Sequence, residues 1–212
     1  MNALVLTDVS IRQRGASTPL FPPLSLVVPA GTITTVMGPS GIGKSTLIDF
    51  IGGHLDFGFV ASGNIMLNGL DVTNNPAETR HIGILFQDAL LFPHLSVGDN
   101  LAFGLNARHR GRAARRTAVD VALEQAGMAG FHDRDPATLS GGQRARVALM
   151  RALLAEPRAL LLDEPFSRLD PELRAEIRGF VFAHIRNQGM PVLMVSHDAS
   201  DAEAAAGPVV EL

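Results

Sequence analysis

Lys44 is the only lysine in this chain of 212 residues, in which every other Lys or Arg position holds arginine. It lies in residues 38–45, GPSGIGKS, which match the phosphate-binding pattern G-x-x-x-x-G-K-[ST]. Glycines in such a loop let successive backbone N–H groups turn toward phosphate oxygens, and lysine reaches the terminal phosphates as a compact cation that an arginine fork would not match. The predicted phosphate-binding residues are Gly38, Pro39, Ser40, Gly41, Ile42, Gly43, Lys44, Ser45 and Thr46. The alternative is a glycine-rich turn that happens to precede a helix.

Two adjacent carboxylates follow an apolar run in the second half of the chain. Residues 159–162, ALLL, predict a buried strand, and Asp163 and Glu164 come directly after it. Because ligands gather at the carboxyl ends of parallel strands, Asp163 is placed to hold Mg²⁺ together with the Ser45 hydroxyl. Glu164 points elsewhere and is a candidate for polarising a water aimed at the terminal phosphate. Two solvated acids at a strand end are the alternative.

A second glycine-rich motif, LSGGQ, occupies residues 139–143 and opens a predicted helix. A serine and two glycines at a helix start form an anion-binding terminus. One ATP needs only one phosphate loop, so this second terminus is predicted to close over a nucleotide bound to another subunit. Its candidate residues are Ser140, Gly141, Gly142 and Gln143. The alternative is an ordinary helix for which Ser140 is the N-cap.

Apolar runs, together with the glycines and prolines that end them, predict the strands and helices that must position these residues. The phosphate loop lies between a predicted strand at 32–37 and a helix at 45–51 that Gly52 and Gly53 end. Strand–helix alternation returns after 157, whereas the stretch from about 89 to 156 is mostly helical. We therefore predict an α/β core over 1–88 and 157–212, interrupted by a helical subdomain over 89–156.

In this order and spacing the motifs resemble those of the nucleotide-binding subunit of an ABC transporter. The matching positions are residues 38–45 for Walker A, Gln87 for the Q-loop, 139–143 for the signature, 160–163 for Walker B, Glu164 for the catalytic glutamate, 167–170 for the D-loop and His197 for the switch histidine. The resemblance implies a P-loop NTPase fold with a RecA-like core, a small antiparallel β subdomain and an inserted α-helical subdomain that carries the signature.

The resemblance also implies a role for each residue. Lys44 and the loop amides would hold the β- and γ-phosphates of ATP, Glu164 would act as general base, and His197 would contact the γ-phosphate. The residues implied for Mg²⁺ and its waters are Ser45, Gln87 and Asp163. The signature residues would close the site of the opposite subunit, so two chains would pack head to tail around two ATP molecules.

The stretch from 87 to 97, continued at 100–105, resembles the part of binding-protein-dependent importers that meets the permease. It offers an apolar patch beside the Q-loop, although the core of the helical subdomain is an alternative use for it. We expect the ATPase subunit of a bacterial importer on the cytoplasmic face of the inner membrane. Its expected partners are permease subunits, a second ATP-binding chain and a substrate-binding protein. The rivals are a non-transport ABC ATPase of DNA repair or translation and a small-molecule kinase.

Composition narrows the partners. A net charge of −3 argues against a general nucleic-acid binder, so we expect no nucleic-acid partner. The absence of cysteine excludes disulfides and thiol catalysis. We expect no signal peptide, and no apolar run approaches the roughly 18 residues of a membrane span. The basic stretch 108–116 could touch nucleic acid or anionic lipid, but a solvated loop and helix face explains it more simply.

Three positions depart from the family pattern. The chain has no tyrosine or tryptophan, and Gln13 stands where many relatives place an aromatic against adenine; Phe21 is nearby but aligns better with a packing leucine. We therefore expect weak base stacking and a poor preference for ATP over GTP. Ile42 is expected to point away from phosphate. Arg168, in the D-loop, is expected to adjust communication between the two nucleotide sites of the dimer or the choice of partner chain. Separately, we expect no C-terminal regulatory domain.

Overall fold

The computed structural model describes residues 2–212. Its strands are β1 (Ala3–Gln13), β2 (Leu24–Pro29), β3 (Ile33–Met37), β4 (Phe59–Leu67), β5 (Leu70–Asp71), β6 (Ile82–Leu85), β7 (Ala159–Asp163), β8 (Val192–Ser196) and β9 (Val209–Glu211). Its α-helices are α1 (Lys44–Gly52), α2 (Ala77–Arg80), α3 (Val97–Gly104), α4 (Arg112–Gln125), α5 (Gly141–Leu154), α6 (Pro171–Gln188) and α7 (Ala199–Ala205). This mixed α/β architecture agrees with the predicted class.

A five-stranded sheet with the order β6-β7-β8-β3-β9 positions the predicted chemistry. Strand β3 pairs in parallel with β8 and β9, and β7 pairs in parallel with β8. The three central strands are apolar or β-branched and almost entirely buried, as strands covered on both faces must be. Because they run in parallel, the residues that follow β3, β7 and β8 emerge at one edge of the sheet.

A second, antiparallel sheet has the order β2-β1-β4-β5. Its strands β1 and β4 pair from Leu4–Leu67 to the register pair Gln13–Phe59. The register shifts near Asp8, which has a positive φ of 48°. Gly63 lies opposite this irregularity with a φ of 102°, and a Cβ there would come within 2.6 Å of the Asp8 carbonyl oxygen. The bulge therefore requires glycine at 63.

The residues group into two compact units by their contacts. The first contains residues up to 84, 158–164 and 182–212, and the second contains 85–157 and 165–181. The predicted helical subdomain, 89–156, falls within the second unit, which also takes in residues 165–181. Residues 165–181 group with the second unit partly because Leu173 and Ile177 of α6 pack against Gly142 at the start of α5.

Each unit has its own apolar core. In the first, both sheets and α1 contribute to one cluster of buried residues that includes Leu47, Ile48 and Ile51 of α1. In the second, α3, α4 and α5 pack around a cluster that includes Leu101 and Val147. Among residues 2–212, no helix is long and apolar enough to cross a bilayer.

The helix that follows the phosphate loop is fixed at its far end by a buried arginine. Arg80 is 5% exposed, and its guanidinium donates hydrogen bonds to the Phe50 and Ile51 carbonyls at the end of α1. Burial lowers the pKa of Arg80 from its ordinary value. These bonds reach two carbonyl groups in the last turn of the helix, so α1 is held at the end opposite to the phosphate loop.

Candidate functional site

Lys44 begins α1 directly after Gly43, which has a φ of 108°. A Cβ at Gly43 would lie 2.9 Å from the Leu20 Cδ1 atom, and the positive φ is the feature that favours glycine here. Lys44 is 4% exposed, and its Nζ atom donates hydrogen bonds to the Gly38 carbonyl at 2.8 Å and the Pro39 carbonyl at 3.0 Å. The Lys44 side chain therefore folds toward the start of the loop that precedes it, and its ammonium group contacts the backbone of that loop.

Ser45 and Asp163 meet at the same edge of the sheet. The Ser45 hydroxyl donates to the Asp163 Oδ1 atom at 2.9 Å, although the two residues are 118 positions apart. Burial is the largest cause of a raised pKa at Asp163, and the hydrogen bond from Ser45 opposes it. A nearby cation would therefore stabilise the Asp163 carboxylate.

This pair of oxygen ligands fits Mg²⁺. Among residues 2–212, no group of three or more His, Cys, Asp or Glu side chains could hold a metal. The protein offers one carboxylate and one hydroxyl here, and Mg²⁺ in nucleotide sites is usually held by one or two carboxylates together with substrate phosphates and waters. The donor set therefore suits a metal that arrives with a nucleotide.

Glu164 lies between Lys44 of the loop and His197. Its carboxylate lies 3.5 Å from Lys44 Nζ through Oε1 and 3.1 Å from His197 Nδ1 through Oε2. Its φ of 43° is unusual for a residue with a side chain, and its N–H donates to the Val195 carbonyl at 3.1 Å. Backbone strain of this kind persists where the surroundings hold it, and it is frequent at functional sites.

A buried acid that the sequence analysis missed supports the segment around His197. Asp201 is 3% exposed and accepts a hydrogen bond from the Ser196 hydroxyl at 3.0 Å. The Ser196 oxygen in turn accepts the Asp198 N–H at 3.0 Å, so the chain is held on both sides of His197. The sequence feature that could have indicated this role is the position of Asp201, an acidic residue in the first turn of the helix that follows His197.

The signature residues lie in the second unit at the start of α5. Ser140 and Gln143 form a reciprocal capping box, in which Ser140 Oγ accepts the Gln143 N–H and Gln143 Oε1 accepts the Ser140 N–H. The N-capped helix that the sequence analysis raised as an alternative is therefore present. Gly142 also has a packing role, because a Cβ there would lie 2.6 Å from the Leu173 Cδ1 atom.

Gln87 and Arg168 also belong to the second unit. Gln87 is exposed just after β6, and the next residue, Asp88, forms an ion pair with Arg168. Both partners are at least half exposed, so this pair contributes little to stability. The arginine that departs from the usual D-loop pattern thus has a partner within its own chain.

The structure separates the two candidates for contact with adenine. Phe21 is 2% exposed and packs in the core of the first unit, as the sequence analysis preferred. Gln13 is exposed at the end of β1. Phe21 is therefore not available as a stacking surface, which leaves Gln13 at the predicted position.

Comparison with known proteins identifies the sequence family that this chain matches. The sequence model of the ABC transporter family matches residues 21–167. The chain is 51% identical over 201 residues to the uncharacterised ABC transporter ATP-binding protein YnjD of Escherichia coli K12, which covers 95% of this chain and 91% of the relative. It is 45% identical over 179 residues to the sulfate/thiosulfate import ATP-binding protein CysA of Mycobacterium tuberculosis H37Rv, covering 84% of this chain and 50% of the relative. It is 41% identical over 187 residues to the Fe(3+) ions import ATP-binding protein FbpC 1 of Haemophilus influenzae, covering 88% of this chain and 56% of the relative. The chain thus spans about half the length of these two import proteins.

Proposed function

This chain belongs to the ABC transporter family, whose ATP-binding domain is an ATPase, and from that premise we propose that it is the ATP-hydrolysing subunit of a bacterial solute importer. The observation that carries the proposal is the meeting of Lys44, Asp163 and Glu164 at one edge of the parallel sheet. The import functions named for two relatives favour an importer over a non-transport ATPase of DNA repair or translation.

In the proposed reaction, Lys44 exchanges its contacts with the loop carbonyls for oxygens of the β- and γ-phosphates of ATP. Ser45, Gln87 and Asp163 would serve Mg²⁺ and its waters, which would supply positive charge beside the phosphates. Glu164 accepts a proton from the attacking water, and His197 orients this carboxylate and contacts the γ-phosphate. The 3.1 Å distance between Glu164 and His197 supports this pairing of roles.

The proposal extends to the assembly. Two copies of the chain would pack head to tail, so that Ser140, Gly141, Gly142 and Gln143 of each copy close over ATP held by the other. ATP binding would close this dimer and hydrolysis would reopen it. In the same proposal the α/β core is RecA-like, the antiparallel sheet forms a β subdomain, and the inserted helical subdomain spans 89–156.

The proposed partners lie in and around a membrane. Leu90 and Phe103 are exposed at 57% and 70%, and such apolar groups suit contact with a permease. The working complex would contain permease subunits and receive cargo from a substrate-binding protein. The chain would then act at the cytoplasmic face of the bacterial inner membrane.

Affinity purification of the Glu164→Gln chain tests the proposal. The tagged variant is expressed in its native host, and membranes are solubilised in detergent with ATP and Mg²⁺. Because the variant should bind ATP without hydrolysing it, we expect a multi-spanning permease to co-purify. Lys44→Ala, which should not hold ATP, is the matched control. A soluble or nucleic-acid partner without any permease would contradict the importer assignment.

A further inference from the structure

One exposed residue of the second unit is held in a strained conformation. Leu90 has a φ of 43°, which is a left-handed backbone conformation that leucine rarely adopts. Its side chain is 57% exposed, so packing of that side chain in the core does not explain the conformation. Another contact must therefore restrain the Leu90 backbone. Backbone strain of this kind is frequent at functional sites.

Arg151 supplies that restraint. Its guanidinium donates hydrogen bonds to the Leu90 carbonyl at 3.0 Å and the Ala89 carbonyl at 3.2 Å, and it lies 5.4 Å from the centre of the Phe92 ring. Burial lowers the pKa of Arg151 from its ordinary value, as expected for a largely desolvated cation. The planar fork of arginine can hold two successive carbonyl groups, which the single ammonium group of lysine matches poorly.

Asn100 holds the rest of the same loop. It is completely buried, and its side chain accepts the Phe92 N–H at 2.8 Å while donating to the Phe92 carbonyl at 3.1 Å and the Ser96 carbonyl at 2.9 Å. Arg151 also reaches the Asn100 Oδ1 atom at 3.5 Å. The two side chains together fix the backbone of residues 89–96 from its buried side.

The exposed side of this loop is apolar. Leu90 and Phe103 are mostly exposed, and the ring of Phe92 meets that of Phe103 edge-on with centroids 4.7 Å apart. We name Leu90, Phe92 and Phe103 the apolar patch. Arg151 lies behind this patch, on the last turns of α5, and the signature residues Gly141 to Gln143 form the first turn of the same helix. About 15 Å of continuous helix therefore joins the two sites.

We propose that Arg151 is a positioning residue that holds Leu90 in its strained conformation and so sets the apolar patch for docking to a permease. This rests on the proposed function, because it concerns how the importer subunit engages its membrane partner. Through α5, a displacement of the signature residues reaches the patch as a movement of Arg151. The strained loop follows that movement, since its carbonyls are bonded to the guanidinium.

The test compares three variants of the full chain. Arg151→Lys keeps the positive charge but loses the guanidinium group that donates to the Leu90 and Ala89 carbonyls. Leu90→Ala keeps the restraint but removes apolar contact. Arg146→Lys is the matched control, because Arg146 lies on the same helix, donates to the Ala126 carbonyl at 2.9 Å, pairs with Glu176 and lies over the Phe180 ring. Each purified variant is examined by amide hydrogen exchange, by ATPase activity alone, and by rebinding to native membranes stripped of peripheral proteins at alkaline pH.

Arg151→Lys should speed amide exchange in residues 89–96 by about tenfold or more, leave exchange in β3 unchanged, and weaken rebinding to a similar degree. Leu90→Ala should weaken rebinding without faster exchange, whereas Arg146→Lys should alter neither. ATPase activity of the chain alone should be preserved in all three. Normal rebinding of Arg151→Lys, or equal loss in Arg146→Lys, would overturn the inference. Failure of the unmodified chain to rebind would instead overturn the importer function on which it rests.

Discussion

The His197 Nδ1 atom lies 3.1 Å from the Glu164 Oε2 atom, although the residues are 33 positions apart in the chain. They follow two neighbouring parallel strands, β7 and β8, whose register pairs Asp163 with Val195. The Glu164 N–H also donates to the Val195 carbonyl. The sheet therefore determines the distance between the proposed base and the histidine that orients it.

Glu164→Gln should abolish most hydrolysis and preserve binding. Glutamine has nearly the same shape and can still hydrogen-bond to His197, but it cannot accept a proton from water. We expect ATP affinity to remain close to that of the unmodified chain while turnover falls by about 10²–10⁴-fold. Nucleotide titration and steady-state ATPase assays measure the two effects, with Glu172→Gln at an exposed position of α6 as the control. Unchanged turnover would exclude Glu164 as the base.

Lys44→Ala should lose nucleotide affinity. The Lys44 ammonium is buried against the Gly38 and Pro39 carbonyls, within the loop that is proposed to bind phosphate. Hydrogen bonds to charged groups contribute about 1.5–3 kcal/mol, so affinity should fall by about tenfold or more. Calorimetric titration measures this effect, and circular dichroism verifies that the variant is folded. Normal affinity would contradict the phosphate-binding role of the loop.

His54 should make stability depend on pH. Its Nε2 atom lies 2.9 Å from Asp49 Oδ1 at the end of α1, and the hydrogen bond to Asp49 is the main reason that the pKa of His54 is raised. Because the folded pKa exceeds the unfolded value of about 6.5, the stabilisation is complete below pH 6.5 and is lost as pH rises through the folded pKa.

The His54 and Asp49 side chains are 36% and 35% exposed, so solvent screens the pair and it should contribute at most about 1 kcal/mol, or about 2–4 °C in Tm for a chain of this size. Thermal melts of His54→Gln against the unmodified chain should therefore differ most below pH 6.5 and converge in alkaline buffer. His94→Gln, at another exposed histidine, is the control. A difference that grew with pH would show that His54 is not stabilised as a cation.

Gln13→Tyr should tighten ATP binding. Gln13 is exposed at the end of β1, and Phe21 is buried in the core and cannot stack on a base. Stacking of a base on an aromatic ring contributes about 1–3 kcal/mol, which is the most that the substitution should add. Titrations with ATP and GTP measure the gain, and Gln13→Leu controls for added apolar surface. If tyrosine brings no gain, the adenine platform lies elsewhere, in a partner chain for example.

Local chemistry was predictable from the sequence alone. Phosphate binding demands glycines and a lysine at fixed spacing, so residues 38–45 could be proposed as a phosphate loop without a fold, and apolar runs placed β3 and β7. The capping box of Ser140 and Gln143 is equally local, since it joins residues three positions apart.

The contacts between distant residues were decided only by the tertiary structure. The ion pair of Asp88 with Arg168 and the hydrogen bond from Arg151 to the Leu90 carbonyl leave no periodic pattern in the chain. Composition and spacing determined which residues are candidates for binding nucleotide and where most strands and helices form, because those properties depend on neighbouring residues. Strand order, register and helix packing determined which side chains meet, because those contacts depend on burying apolar surface throughout each unit.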